Sequence, residues 1–279
     1  MIMKSGDGVS NDIKGRSRSR KTIAMTTICV VVMVAVVIVG VFLYIWHNNN
    51  VRRYDYQSAL STIDSSRASI IEQMQQVANS FGTINSLADA DVNYDHLMQQ
   101  SSGAQQTIGS LRSDLANIVS LNDGGIAEYN ELADRLDSLS VLLGDVNSYY
   151  QLMIDSSAGS QSLAKYNGNY RQLNAEQLSD CLVAIDAMLA PVNYIDMSTD
   201  IMSAVVDNYY QSYSALREYI QSIIDGQEDI SKLENSVGLF NGYLSAIDQA
   251  GVDLSSRIDA TNEAINNLRV YLGGVDNEV

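Results

Sequence analysis

The sequence is poor in the residues that interrupt helices or fill the interior of β-sandwiches. Its 279 residues include one proline, one tryptophan and three phenylalanines, although 46% of the residues are hydrophobic. Because proline removes an amide donor and breaks a helix, a chain with only Pro191 can form long helices. The composition therefore predicts an all-α protein that packs along aliphatic seams, with tyrosine supplying most of the aromatic surface.

The sequence also lacks the motifs of common enzymes and metal sites. It has two histidines and no HExxH, GxSxG, P-loop or CxxC pattern, so no catalytic, cofactor or metal site is predicted. The acidic run at Asp89, Asp91 and Asp95 lacks the glycine and glutamate of a calcium loop, and helix capping is the better interpretation. A hydrolase built from scattered residues is the remaining enzymatic alternative. We therefore expect a protein that is not an enzyme.

A charge-free apolar run lies near the start of the sequence. Residues 22–46 contain no charged side chain, and as an α-helix they would extend about 37 Å against a bilayer core of about 30 Å. Tyr44 and Trp46 close the run, and such rings favour the headgroup layer of a membrane. The run predicts a transmembrane helix that contacts the lipid bilayer through residues 22–46.

Basic residues on the N-terminal side of this run predict its orientation. Residues 1–21 carry six basic and two acidic side chains. Five of the basic residues stand close to the run: Lys14, Arg16, Arg18, Arg20 and Lys21. Positive charge stays on the cytoplasmic side, so residues 1–21 are predicted to be a cytoplasmic tail. A cleaved signal peptide is the alternative, but the run is too long and no A-x-A motif follows, which favours an uncleaved signal anchor.

Beyond residue 21 the chain is strongly acidic, with eleven Lys or Arg against thirty-one Asp or Glu. This balance repels nucleic acid, which is not expected as a partner, and indicates solvated outer faces. The absence of any Asn-x-Ser/Thr sequon favours a prokaryotic envelope. Cys29 falls in the predicted span, so it cannot form a disulfide with Cys181 outside the membrane. We interpret Cys181 as a buried apolar side chain, with a cross-link between chains as the alternative.

Apolar residues recur in alternating steps of three and four after the predicted span, which indicates helices that pack along a seam. The first stripe predicts a helix over residues 51–90, and the second begins at Leu97 and closes at a turn over 122–125. A third stripe runs from Tyr129 to Met153. Three antiparallel helices can bury these seams against one another.

Residues 156–173 lose this periodicity and gather serine, glycine and asparagine, so they are predicted as a loop. A short fourth helix begins near Asn174 and ends at Pro191, and a fifth begins after Asp196 or Ser198. The sixth stripe starts with Ile230, Leu233, Val237, Phe240 and Leu244. Gly251 interrupts it, and a break there is the alternative to one long helix.

The predicted fold class is all-α, with an N-terminal transmembrane helix followed by an elongated helical-bundle or coiled-coil ectodomain of about six helices. The predicted parts, in chain order, are a basic tail (1–21), an anchor (22–46), a first half of three helices (47–155), a loop (156–173) and a second half of three helices (174–279). Two three-helix bundles or one folded-back coiled-coil array would satisfy these seams.

The clearest sign of a binding surface is a cluster of tyrosines in and before the fifth helix. Its members are Tyr194, Tyr209, Tyr210, Tyr213 and Tyr219. Tyrosine anchors binding surfaces because it brings a large contact area at a small cost in conformational entropy. Packing in the bundle interior is the competing interpretation, since Tyr209 lies on the seam.

These features predict a single-pass envelope protein whose C-terminal domain is extracytoplasmic. The expected function is that of a spacer, a scaffold or a protein-binding module, with a protein partner or self-association through helical faces. The alternative is an extracytoplasmic sensor bundle that binds a ligand and signals through a partner protein.

Overall fold

Helix is the regular secondary structure of the part of the chain that the structure, a computed structural model, describes. The backbone is described for residues 11–86, 92–116, 123–166 and 168–275, and most side chains in these ranges are described from Val36 onward. Six α-helices lie in this part: α1 Asn11–Ser86, α2 Tyr94–Leu115, α3 Asp123–Ala164, α4 Ala175–Leu189, α5 Asp200–Ile224 and α6 Ile230–Val275. The all-α prediction is confirmed.

The chain divides into two compact units, with a boundary between Asp55 and Tyr56. The second unit, Tyr56–Glu278, contains a hydrophobic core whose members run from Tyr56 to Leu272. It therefore buries its own core, and the two predicted halves of the ectodomain share this core.

Four helices pack in alternating directions in the first section of the second unit. The α1 residues after Tyr56 run antiparallel to α2, as the contacts Gln76–Gln100 and Gln73–Thr107 show. Helix α2 then runs antiparallel to α3. The second half of α6 completes the section through the contact of Arg67 with Asn262.

A second four-helix section uses the other halves of α3 and α6. Helix α4 runs antiparallel to α3, where the Ser156 hydroxyl donates to the Met188 carbonyl over 3.1 Å. Helix α5 lies between α4 and α6, and Ser236 of α6 donates to the Ser212 carbonyl of α5. Because α3 and α6 belong to both sections, one pair of long helices joins them.

Most of the predicted seams form the core. Eight buried side chains in α1 and α3 show the pattern: Ile63, Ile70, Met74, Val77, Leu132, Leu136, Leu139 and Leu143. Helix α4 begins as predicted, with Asn174 and Gln177 forming a capping box. A 3-10 helix over Ala190–Tyr194 contains Pro191 and follows α4.

The structure differs from the predicted loop at 156–173. Helix α3 continues to Ala164, because serine, glycine and alanine are small enough for a helix that is packed closely on one side. Gly251 does not break α6 either. A Cβ atom there would lie 3.0 Å from the Phe81 Cβ, so the glycine lets α1 approach α6.

Within the described residues, no helix has the length and apolar character needed to cross a bilayer. Residues 22–35 of the predicted span have side chains outside the described part, as do the five basic residues from Lys14 to Lys21. The transmembrane helix therefore stays a prediction.

Candidate functional site

The candidate site is a pocket of about 510 Å³ beside the second half of α3. The pocket forms because α3 carries small side chains on the face that it turns toward α5 and α6. Ser156, Ser157, Ser160 and Ala164 line this side of the pocket, and they leave open the volume that longer side chains would fill. The segment that resembles a linker in sequence thus forms one wall of the site.

Aromatic rings form much of the remaining wall, and we call this site the aromatic pocket. Its rings come from four parts of the fold: Tyr94 of α2, Tyr170 of the α3–α4 connection, Tyr209 and Tyr213 of α5, and Phe240 of α6. The Tyr209 and Tyr213 rings lie 4.9 Å apart between centroids. Met153 and Met188 add polarizable thioethers to the apolar lining.

Among the residues that the structure describes, no charged side chain lines the aromatic pocket, although the chain carries a formal net charge of −16. Its polar groups are hydroxyls and one amide, from Ser156, Ser157, Ser160, Gln161 and the tyrosines. Burial raises the pKa of Tyr170 to about 12, so that phenol is neutral at physiological pH. The described lining of the site therefore consists of rings, apolar side chains and neutral hydrogen-bonding groups.

A layer of buried tyrosines supports the aromatic pocket. The hydroxyls of Tyr149 and Tyr243 lie 2.7 Å apart, and Tyr243 also donates to the Met153 sulfur over 3.8 Å. The Tyr243 ring packs against Tyr209 and Phe240, with centroid distances of 5.6 and 5.8 Å. Tyr243, which is itself hydrogen-bonded, thus holds the rings of Tyr209 and Phe240 in place.

A second buried pair lies on the α1 side of the same layer. The hydroxyls of Ser80 and Tyr150 lie 2.6 Å apart. Burial raises the pKa of Tyr150 well above its usual value, so its phenol stays protonated.

The start of α5 is attached to α3 by a buried carboxylate. Asp145 is 3% exposed and accepts hydrogen bonds from the Ser198 and Thr199 amides over 2.9 and 2.7 Å. The Thr199 hydroxyl also donates to it over 2.6 Å. Asp145 thus satisfies amides at the beginning of the helix that carries Tyr209 and Tyr213.

A close contact between α3 and α4 fixes the opposite side of the small-residue segment. A Cβ atom on Gly159 would lie 2.6 Å from both the Ala184 carbonyl oxygen and the Met188 Cγ. Only glycine permits this approach, which positions Met188 at the pocket.

The first half of α6 leaves part of its predicted seam uncovered. We call Ile230, Leu233, Val237 and Phe240 the α6 stripe. Ile230 and Val237 are 51% and 54% exposed, whereas Tyr243 and Ile247 of the same helix are buried. The buried face of this half of α6 follows Ser236, Tyr243 and Ile247, and the predicted members Leu233 and Leu244 are partly buried beside it. The seam prediction is wrong at Ile230 and Val237.

The five predicted binding tyrosines separate into three groups. Tyr209 and Tyr213 meet at the aromatic pocket, whereas Tyr219 is buried and donates to Glu228 over 3.3 Å. Tyr194 is 90% exposed and Tyr210 is 43% exposed, and neither lines the pocket. The cluster along the sequence is therefore not one surface.

The other residues considered in the sequence lie elsewhere. Tyr44 and Trp46 belong to the first unit, where they are 71% and 58% exposed. Asp89 and Asp91 lie outside the described residues, and Asp95 is in the first turn of α2. Cys181 is a buried free thiol, as interpreted, and burial raises its pKa.

No protein-family model, curated protein or solved structure matches the chain. The function must be argued from the described residues.

The sequence offers one sign of the pocket that the loop interpretation misses. The segment 156–164 is free of proline, and its serines at positions 156 and 160 are one helical turn apart. The small residues of this segment recur at helical spacing, and the Asn-Gly-Asn turn follows only at 167–169. This pattern indicates a helix with one open face.

Proposed function

We propose that the protein is a single-pass, membrane-anchored envelope protein whose extracytoplasmic helical unit binds another protein. The α6 stripe carries the binding part of this proposal, because Ile230 and Val237 within it are more than half exposed and Phe240 is 37% exposed. The anchor supplies the location, and the acidic remainder of the surface keeps the unit solvated.

The proposed anchor rests on an apolar helix segment that is exposed on all sides. From Val36 to Trp46 every large hydrophobic side chain is at least half exposed. Ten consecutive or near-consecutive apolar side chains around a helix are unfavourable in water but suited to lipid. Residues 22–35 extend the uncharged run to a length that spans a bilayer.

The proposed orientation can be tested by cysteine labelling in intact bacterial cells. Cys181 is buried, so both native cysteines are first replaced by alanine and Tyr194→Cys, at a 90% exposed position, is added. We expect a membrane-impermeant maleimide to label this variant without permeabilisation. Ser5→Cys in the same background should react only after permeabilisation, and the reverse pattern would show that the orientation is wrong.

The α6 stripe is suited to an amphipathic helix of a partner. Its members recur at steps of three, four and three, which places them along one side of about three helical turns. A depression of about 540 Å³ separates this side from Arg171 and Gln172 of the α3–α4 connection. A helix in this depression would contact Ile230, Leu233 and Val237 of the α6 stripe.

Site-specific photo-cross-linking tests the binding surface with a matched control. A photoreactive phenylalanine replaces Val237 in the α6 stripe or Val252, which is 61% exposed on the same helix outside it. We expect at least tenfold more of one discrete protein adduct from position 237 in native membranes.

Adding Ile230→Glu should suppress the adduct at position 237, because it places a charge in the apolar contact. An adduct with twice the mass of the chain would identify self-association. Equal adducts from the two positions, or none from position 237, would refute the binding proposal.

A ligand-binding role is the second candidate function, and the aromatic pocket is the observation that favours it. The α6 stripe and this pocket share Phe240, so one unit can accommodate both roles.

A further inference from the structure

We infer that the aromatic pocket binds an uncharged small molecule that contains a fused or single aromatic ring and a hydrogen-bonding group at one end. This inference goes beyond protein binding through the α6 stripe, because the pocket is lined by different residues except for Phe240.

The size of the pocket fits a small molecule. Its volume of about 510 Å³ lies within the range of about 300–1,000 Å³ that is usual for ligand sites. Its walls come from α2, α3, α5, α6 and the α3–α4 connection, so a ligand would be surrounded by several elements.

The walls are arranged before any ligand arrives. The accessible rings of the pocket are the half-buried Tyr213 and Phe240, which is 37% exposed. Tyr209, 1% exposed, packs behind Tyr213, and Tyr243 contacts both Tyr209 and Phe240. Tyr243 is in turn held by Tyr149 through their hydroxyls. Rings that are already fixed lose little conformational entropy on binding, and they can stack on an aromatic ligand in offset or edge-on geometry.

The chemistry of the lining selects against charge. A charged ligand in this site would exchange its hydration for neutral hydroxyls and rings, with no side chain of opposite charge among the described lining residues. The hydroxyls of Ser157 and Ser160 and the amide of Gln161 lie together on α3, and they can hydrogen-bond a polar group at one end of the ligand.

The probe pair that tests this inference is 1-naphthol and 1-naphthalenesulfonate, which share a ring system and differ in charge. Binding is measured by calorimetry on the full chain in lipid nanodiscs, with the heat of the same titration into empty nanodiscs subtracted. We expect one saturable site per chain for 1-naphthol at neutral pH, and at least tenfold weaker binding of the sulfonate.

Two variants on α3 provide the matched control. Ser160 lines the pocket, so Ser160→Trp should fill it and lower the affinity for 1-naphthol at least tenfold. Ala158 is exposed on the same helix and does not line the pocket, so Ala158→Trp should change the affinity less than twofold. Partitioning into lipid is the same for both variants.

Phe240→Ala gives a second measurement that does not depend on the folding of Ser160→Trp. Phe240 is 37% exposed, so its removal leaves the core intact while it deletes one wall, and we expect several-fold weaker binding. The inference is overturned if the two probes bind equally, if the two tryptophan variants behave alike, or if 1-naphthol gives no saturable heat above that of empty nanodiscs.

Discussion

Asp145→Ala is expected to lower the free energy of unfolding of the second unit by about 3 kcal/mol. The substitution removes a 3% exposed carboxylate and leaves the Ser198 and Thr199 amides without their acceptor. Hydrogen bonds to a charged group contribute about 1.5–3 kcal/mol each. The half-buried Thr199 amide would lose its acceptor, whereas the amide of the exposed Ser198 can hydrogen-bond to water. The effects overlap, so their sum is smaller than three independent bonds would give. Urea denaturation of residues 56–278, followed by circular dichroism, measures the change.

Two control substitutions separate this attachment from a general effect of charge. Asp155 is exposed on the same helix, and Asp155→Ala should change the free energy of unfolding by less than about 0.5 kcal/mol. Asp145→Asn retains one acceptor oxygen and should fall between the two. If Asp145→Ala were as stable as Asp155→Ala, the carboxylate would not hold the start of α5.

Gly159→Ala is expected to destabilise the same unit by about 2 kcal/mol, although alanine favours helix by about 1 kcal/mol over glycine. The added methyl would lie 2.6 Å from the Ala184 carbonyl oxygen, which belongs to the α4 backbone and cannot turn away as a side chain can. Overpacking costs about 1–3 kcal/mol, and two contacts at 2.6 Å, one of them to backbone, place this site at the upper end. About 2 kcal/mol remains after the helix preference of alanine is subtracted. Thermal and urea unfolding of the wild type and the variant measure the difference.

Gly109→Ala in α2 is the matched control, because a Cβ atom there meets nothing within 4 Å. It should raise the free energy of unfolding by about 0.5–1 kcal/mol, so the two glycine substitutions are expected to have opposite signs. A stabilising effect of Gly159→Ala would show that α3 and α4 are farther apart than described.

The helices were largely predictable because their seams repeat over many turns. Ile63, Ile70 and Met74 in α1, and Leu132, Leu136 and Leu139 in α3, have the spacing that a buried helix face requires, and all are buried. The start of α4 was predictable for a local reason, since Asn174 and Gln177 cap each other.

Other features depend on tertiary packing and could not be predicted from the periodicity of the sequence. Gly251 costs helix stability locally, but α6 continues because Phe81 packs against it from α1, far away in the sequence. The error in the predicted α6 seam has the same origin, because Ser236 and Tyr243 meet α5 and α3 while Val237 does not. Neither the pocket nor the attachment at Asp145 has a periodic signature, since each joins residues from different helices.

The hydroxyl pair of Tyr149 and Tyr243 also determines how α3 and α6 align. Two long helices with heptad seams can pack equally well after one slides past the other by seven residues, about 10.5 Å. Such a slip would separate the two phenols and, in either direction, place one of them opposite an aliphatic residue, Leu142 or Ala250. That hydroxyl would lose its partner, at a cost of about 1–3 kcal/mol. The pair therefore favours one register of α3 against α6, the two helices that both four-helix sections share.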